Sequence, residues 1–319
     1  MTILHLKAEL HDKMWGGSAL KQYNYPIKNN HTGEAWAIAA HKNGRSIITN
    51  GQFEGQGLDD IWKKQPELFG GHENNESFPL LVKILDAHEN LSIQVHPNDK
   101  QSHEKFGKTE SWYILDAKSD SKIYYGHHAK TRQELEKMVE QKDWQQLLRT
   151  IPVQSGDFFY VPSGTFHALG AGIVALEIQQ SSDTTYRFYD FDRVDVHTGE
   201  KRPLQIKEAL AVTTVPHTDP ILVQNTTIND QTVIEQLVVS RQFTIDKLLV
   251  RGLSVFKKIN HYELFTVIAG KGEINDDKIK KGDSFILLDD VKKYQLNGDM
   301  TIMRSFVTSK NLNQNLLVR

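Results

Sequence analysis

The segment Gly156–His167, Gly-Asp-Phe-Phe-Tyr-Val-Pro-Ser-Gly-Thr-Phe-His, leaves this chain little choice of local structure. Gly156 can take a positive φ ahead of Asp157. Phe158 to Val161 is an apolar, aromatic and β-branched run suited to a strand. Pro162 fixes its own φ and offers no N–H, so pairing stops there. Gly164 permits a tight return, and His167 emerges on the next strand with Ala168 and Leu169. The unit is a strand, a rigid turn and a strand that delivers one imidazole to a set place. Short runs of the same character recur at Ala37 to Ala40, Ser46 to Thr49, Lys122 to Tyr125 and Ile173 to Ile178, with polar or glycine-bearing connections. Such spacing predicts a mainly β chain, either a barrel or a double sheet.

Helices are expected to be few. Leu58 to Phe69 is one, closed by Gly70-Gly71. Thr131 to Leu148 is the clearest, with Thr131 and Glu134 as a capping box and Leu135, Met138, Val139, Trp144, Leu147 and Leu148 as an apolar stripe. Ile206 to Val212 is a third. With 38 Lys+Arg against 40 Asp+Glu, the chain has no electrostatic footprint for nucleic acid or an anionic membrane. It has no cysteine, which excludes a disulfide scaffold and a thiolate metal site. The first residues lack the apolar core of a signal peptide, and no run approaches the ~18 apolar residues of a membrane span. A cytoplasmic protein is expected.

Three strands carry chemistry. In Leu91 to Pro97 the alternation puts Ile93 and Val95 on one side and Ser92, Gln94 and His96 on the other. Phe78 to Leu85 is a nearly continuous apolar run broken by Lys83, so one cation points into something from a buried strand. Gly107 to Leu115 places Glu110 at the start of another strand, with Lys108 on the same side. Gln94, His96, Glu110 and His167 together make a four-ligand set. Two imidazoles, a carboxylate and an amide oxygen suit Zn²⁺, with other divalent first-row metals possible.

Past about Thr214 the chain changes, through a polar connector bearing Pro216 and Pro220. Strand signals then resume from Val233 to Val307. Lys281-Gly282-Asp283-Ser284 repeats the earlier Gly-Asp turn, but Leu287 to Lys293 offers no metal ligand. The expectation is residues 1–230 as a metal-binding domain with a short helical insertion at about 129–150, and 231–319 as a second β-barrel without a metal. His103, His127, His128, His197 and His217 are read as solvated loop histidines, and His261 as a surface one.

These motifs carry a family resemblance. Gly-Asp-x4-Pro-x-Gly-x2-His looks like the second conserved motif of the cupins. Ser-Ile-Gln-Val-His-Pro, Lys-x-Glu and the Pro-x-Gly-x2-His motif together resemble type I mannose-6-phosphate isomerases, most of all the short bacterial form. Trp15-Gly16-Gly17, Gly33-Glu34-Ala35-Trp36, Asn50-Gly51, Phe78 to Lys83 and Ser182 to Arg187 extend the match in order over roughly residues 15–195. The long form carries a large helical insertion before the final metal histidine, and this chain has room for one short helix.

The resemblance implies two tandem cupin-like jelly-roll barrels with a few short helices in or beside the first. It implies one Zn²⁺ and an aldose–ketose isomerase interconverting D-mannose 6-phosphate and D-fructose 6-phosphate through a cis-enediol. Arg187 falls at the phosphate end, Arg193 at the place of a second cation, and Ser92 and Glu34 among the substrate contacts. Lys83 is the expected proton carrier, its pKa depressed by burial beside a divalent cation. Lys108 is in the site as catalyst or as substrate contact, and Asp183 is a ring-opening candidate. The partner is a small sugar phosphate, and the chain is a monomer or weak homodimer. A non-catalytic sugar-binding cupin is the main rival reading, and a non-haem iron dioxygenase a third.

Overall fold

A computed structural model describes residues 2–73, 76–195 and 199–308. Within them, the chain is mainly β with few helices. Six antiparallel strands form one sheet in the spatial order Phe158–Val161, Glu110–Ala117, Ile173–Gln180, Leu80–Ala87, Thr32–Ile38 and Glu9–Gly17. Five more form a second: Leu148–Pro152, Lys122–His127, His167–Leu169, Ile93–Val95 and Tyr186–Tyr189. Ile93, Val95, Phe188 and Ala209, the last on helix Ile206–Val212, are fully buried in one apolar cluster. The pleat therefore turns Ser92, Gln94 and His96 away from that cluster, as the alternation predicted.

A ten-stranded sheet contains the strands from Asn225 to Phe306. It also takes in the first strand, Ile3–Lys7, whose Ile3 lies opposite Leu287. The hairpin Asn225–Asn229/Thr232–Val239 brackets residue 230, so strands from both sides of that position share this sheet. Its interior holds Phe265, Phe285, Tyr294 and Ile302, all buried. No helix among the described residues is long and apolar enough to cross a membrane.

Two predicted helices are shorter than the pattern suggested. Pro66 cannot continue the hydrogen-bond ladder and disfavours the helical basin at Gln65. Leu58–Lys64 therefore ends there, and a 3₁₀ turn, Pro66–Phe69, follows up to Gly70 at φ 86°. The run Thr131 to Leu148 is two helices, Arg132–Glu140 and Trp144–Leu147, divided at Lys142 with φ 56°. Thr131 Oγ1 accepts from Glu134 N at 3.1 Å, but Glu134 Oε2 reaches back to Lys130 N at 2.7 Å, one residue before the expected donor.

The loop histidines also need correction. His127 is buried and its Nε2 meets Thr214 O at 2.9 Å. His217 packs edge-on against Tyr125 and contacts Asp219 Oδ1 at 3.0 Å. His103, His128 and His261 are exposed, and His197 lies outside the described residues.

Candidate metal centre and active site

The two smaller sheets each contribute to one buried group. His167 lies in the five-stranded sheet, His96 directly follows its strand Ile93–Val95, Glu110 begins a strand of the six-stranded sheet, and their ligand atoms lie within 4.8 Å of one another. Among the described residues this is the one group of three His, Asp or Glu side chains so arranged. His96 Nδ1 is 2.9 Å from Thr184 O, and His167 Nδ1 is 2.8 Å from Thr165 O. A carbonyl can only accept, so both Nδ1 atoms carry the proton and both Nε2 atoms present lone pairs. Those Nε2 atoms are 3.1 Å apart. Glu110 Oε1 is 3.1 Å from His167 Nε2, and Oε2 is 3.3 Å from His96 Nε2. Two lone pairs and a carboxylate converging on one dry point repel each other unless a cation lies among them.

The Lys108 ammonium supplies part of that charge, 3.1 Å from both Glu110 Oε2 and His96 Nε2. Burial, with Lys108 beside it, pushes the His96 imidazole down to about 3, so the ring is neutral and competent as a ligand. Burial alone would raise Glu110, but Lys108 and the two imidazoles hold its carboxyl well below the ordinary range. Two imidazole nitrogens and a carboxylate fit a divalent first-row metal. Gln94 stands directly across the ladder from His167 and lines the adjoining cavity.

Beside this group runs a ladder of charge across the six-stranded sheet. Trp36 lies opposite Lys83, Lys83 opposite Glu177, and Glu177 opposite Trp112. Lys83 Nζ is 3.4 Å from Glu177 Oε1 and 3.8 Å from Glu34 Oε2, and sits 4.8 Å from the Trp36 ring centroid. The depression of the Lys83 pKa is expected beside a divalent cation; the protein groups around it act in the other direction. Burial lowers it, but Glu34 and Glu177 together outweigh burial and raise it. The two carboxylates thus favour the ammonium form of Lys83.

The two carboxylates part company. Burial raises Glu34, yet Lys83, Lys13 at 3.3 Å and the Trp36 indole at 2.6 Å bring it down to about 2. Glu177 is raised, by burial first and then by Glu110, against the pull of Lys83. Trp112 Nε1 donates a hydrogen bond to its Oε2 at 3.0 Å.

Glu34, Lys83, Glu177 and Lys108 border a cavity of about 160 Å³, and Lys108 and Gln94 connect it to the group of His96, Glu110 and His167. It gathers Glu34, Lys83, Ser92, Gln94, Lys108, Asp183 and Arg187 of the residues singled out in the sequence. Arg193 does not line it. Its guanidinium is taken up by the Asp190 carboxylate and the Asn90 carbonyl. Lys13, Glu177 and Arg202 line the cavity and were missed. Glu177 had a local signal, a lone carboxylate in the otherwise apolar start of Ile173–Gln180. Arg202, in an irregular segment after the last strand of this unit, had none.

An antiparallel β-sandwich with a His-Glu-His group buried between its sheets is a cupin. The comparisons then narrow the class. "Phosphomannose isomerase type I, catalytic domain" matches residues 3–146, and "Mannose-6-phosphate isomerase, cupin domain" matches 233–307. The mannose-6-phosphate isomerase of Streptococcus mutans is 44% identical over 311 residues, covering 95% of this chain and 97% of that protein. Mannose-6-phosphate isomerase ManA of Bacillus subtilis is 43% identical, over 92% of this chain and 96% of that one. The crystal structure of the Bacillus subtilis mannose 6-phosphate isomerase superposes with a TM-score of 0.93 at 39% identity, covering 96% of this chain and all of that one. This chain belongs to the type I phosphomannose isomerase family.

Proposed function

We propose that this enzyme interconverts D-mannose 6-phosphate and D-fructose 6-phosphate, with the phosphate at Arg187 and the reacting carbons toward His96, Glu110 and His167. The observation that carries this reading is the shared cavity. It sets an Arg with no carboxylate ion pair among the described residues, a buried ammonium and a carboxylate of raised pKa around one small space, which Lys108 joins to the His-Glu-His group at 3.1 Å. His96, Glu110 and His167 would hold one divalent ion, Zn²⁺ by the nature of the donors, with Gln94 as the fourth ligand. Such an ion supplies electrostatic stabilisation of oxygen at the reacting carbons.

The residues do the rest. The reaction moves a proton from C2 to C1 by way of a cis-enediol, so one group must accept and return it. Glu177 suits that role, because burial and Glu110 raise its pKa and so favour proton uptake, whereas Glu34 is held as a carboxylate. Lys83 stays protonated between them, where it orients Glu177 and donates to oxygen on the substrate. Asp183, whose Oδ2 accepts from Asn43 Nδ2 at 2.9 Å, stands at the cavity rim where ring opening needs an acid or base. Ser92 is a buried hydroxyl available as a donor to the substrate.

Residues 1–230 and 231–319 are taken as two jelly-roll units, the second without a metal. The enzyme works in the cytoplasm as a monomer or weak homodimer. A coupled assay for fructose 6-phosphate from mannose 6-phosphate, with and without chelator, tests the activity. Turnover that survives full removal of bound metal would overturn the metal-centred part. No turnover by metal-loaded protein would leave a sugar-binding cupin as the better reading.

A further inference from the structure

We infer that Arg202, positioned by Asp190, is the second cation of the phosphate subsite, and that Arg193 serves only to hold Asp190. The inference deepens the proposed isomerase reading and rests on it for the identity of the anion.

The charges around the cavity single out two guanidinium groups. The three lysines that line it are each matched to a carboxylate: Lys13 to Glu34 at 3.3 Å, Lys83 to Glu177 at 3.4 Å, and Lys108 to Glu110 at 3.1 Å. Arg187 forms no such pair among the described residues, and its Nε is buried with no hydrogen-bond partner. A buried donor left without a partner costs about 1–3 kcal/mol, more when charged, unless a ligand completes it.

Arg202 is brought beside Arg187 by the backbone. Arg187 N donates to Gln205 Oε1 at 3.1 Å, and Gln205 N donates to Arg187 O at 3.0 Å. These bonds dock the segment carrying Arg202 onto the strand carrying Arg187. After burial, Arg202 is the largest influence lowering the Arg187 pKa, as expected of two cations that face one space. Like charges gathered at one cavity wall fit a dianion such as a phosphate monoester.

Asp190 fixes Arg202 from behind. Arg202 Nε reaches Asp190 Oδ2 at 2.8 Å, and Nη2 reaches Oδ1 at 2.7 Å. This two-point grip leaves Nη1 as the nitrogen not engaged with Asp190. Arg193 grips the same carboxylate, with its other nitrogen on Asn90 O at 2.5 Å and its guanidinium 5.7 Å from the Phe191 ring centroid. It therefore braces Asp190 and does not border the cavity.

The test compares Arg202→Ala, Arg202→Gln, Asp190→Asn and Arg193→Ala in the metal-loaded enzyme. It reads KM and kcat for mannose 6-phosphate, and inhibition by inorganic phosphate. Loss of one charge-assisted contact predicts a ~10–100-fold rise in KM and in the phosphate inhibition constant for Arg202→Ala, with kcat changed by less than about threefold. Asp190→Asn should shift the same two constants by less, since Arg202 stays but wanders. Arg202→Gln is the variant to use if Arg202→Ala does not fold. Lower melting temperature with unchanged KM and phosphate inhibition would make the Arg202–Asp190 pair merely structural and overturn the inference. So would a larger KM rise in Arg193→Ala than in Arg202→Ala. If the unaltered enzyme does not isomerise mannose 6-phosphate, the functional reading fails by itself. Calorimetric titration of inorganic phosphate into unaltered and Arg202→Ala protein then still decides the inference, with equal affinities refuting it.

Discussion

Replacing Lys83 by Met tests the charge ladder most directly, because the side chains match in length and only the ammonium is lost. Removing one partner of a buried ion pair typically costs ~3–5 kcal/mol, since a charge is left without compensation. Here the two carboxylates are not equally exposed to that loss. Glu34 keeps Lys13 at 3.3 Å and the Trp36 indole at 2.6 Å. Glu177 keeps the Trp112 indole at 3.0 Å, with the Glu110 carboxylate as a like-charged neighbour. The penalty therefore falls on Glu177, which can escape it by taking a proton.

That escape makes the destabilisation depend on pH. A carboxyl group whose folded pKa lies above its unfolded value binds more protons folded than unfolded, so stability falls as pH rises between the two values. Without Lys83 the folded value of Glu177 rises further, and the window extends upward. The stability gap between Lys83→Met and the unaltered protein should widen with pH, by up to about 1.4 kcal/mol per pH unit. Urea unfolding followed by tryptophan fluorescence at about pH 5 and about pH 8 reads the gap. In parallel, kcat should fall ~10²–10⁴-fold while inorganic phosphate inhibits as before. A gap that is the same at both pH values would refute the assignment of Glu177 as the stranded group. Near-normal turnover would remove Lys83 from the chemistry and leave Lys108 to be tested in its place.

His167→Ala should abolish metal retention, measured by elemental analysis after dialysis, and activity with it, because one of the converging lone pairs is gone. Arg187→Ala should weaken binding of phosphorylated sugars by one to two decades with metal content intact, as measured by calorimetry. Arg304→Met strands Asp246, 2.6 Å from Arg304 Nη2, and the buried Glu263, inside the sheet remote from the cavity. It should lower unfolding stability by ~3–5 kcal/mol yet leave KM and kcat of the folded fraction unchanged.

What could be read from the sequence follows the range of each signal. The ligand strand was legible because Ser92, Gln94 and His96 alternate within five residues, and one strand's pleat decides their common side. His167 was legible because Pro162 and Gly164 dictate the turn before it. Lys83 lines the cavity, but the carboxylates that raise its pKa were out of the reach of its own strand. Glu34 and Glu177 sit 49 and 94 positions away and come beside it only when Thr32–Ile38 and Ile173–Gln180 pair with Leu80–Ala87. The same holds for Ile3–Lys7, whose partner strand Ser284–Leu287 comes near the end of the described chain. The break at Lys142 was within reach: Asp143 is a good N-cap, and Gln146 N donates to its Oδ1. The apolar stripe continuing through Trp144 and Leu147 hid it.

Arg193 and Arg202 differ for a related reason. Both lie in the loops that follow Tyr186–Tyr189, where no period tells which arginine turns inward. The choice is made by Asp190, a single carboxylate that binds both guanidinium groups. Of the two only Arg202 lines the cavity, and two hydrogen bonds between Arg187 and Gln205 tie the loop that carries it to the strand of Arg187. Which arginine reaches the cavity thus depends on how the loop is tied to the sheet, and counting positions from Arg187 along the chain does not find it.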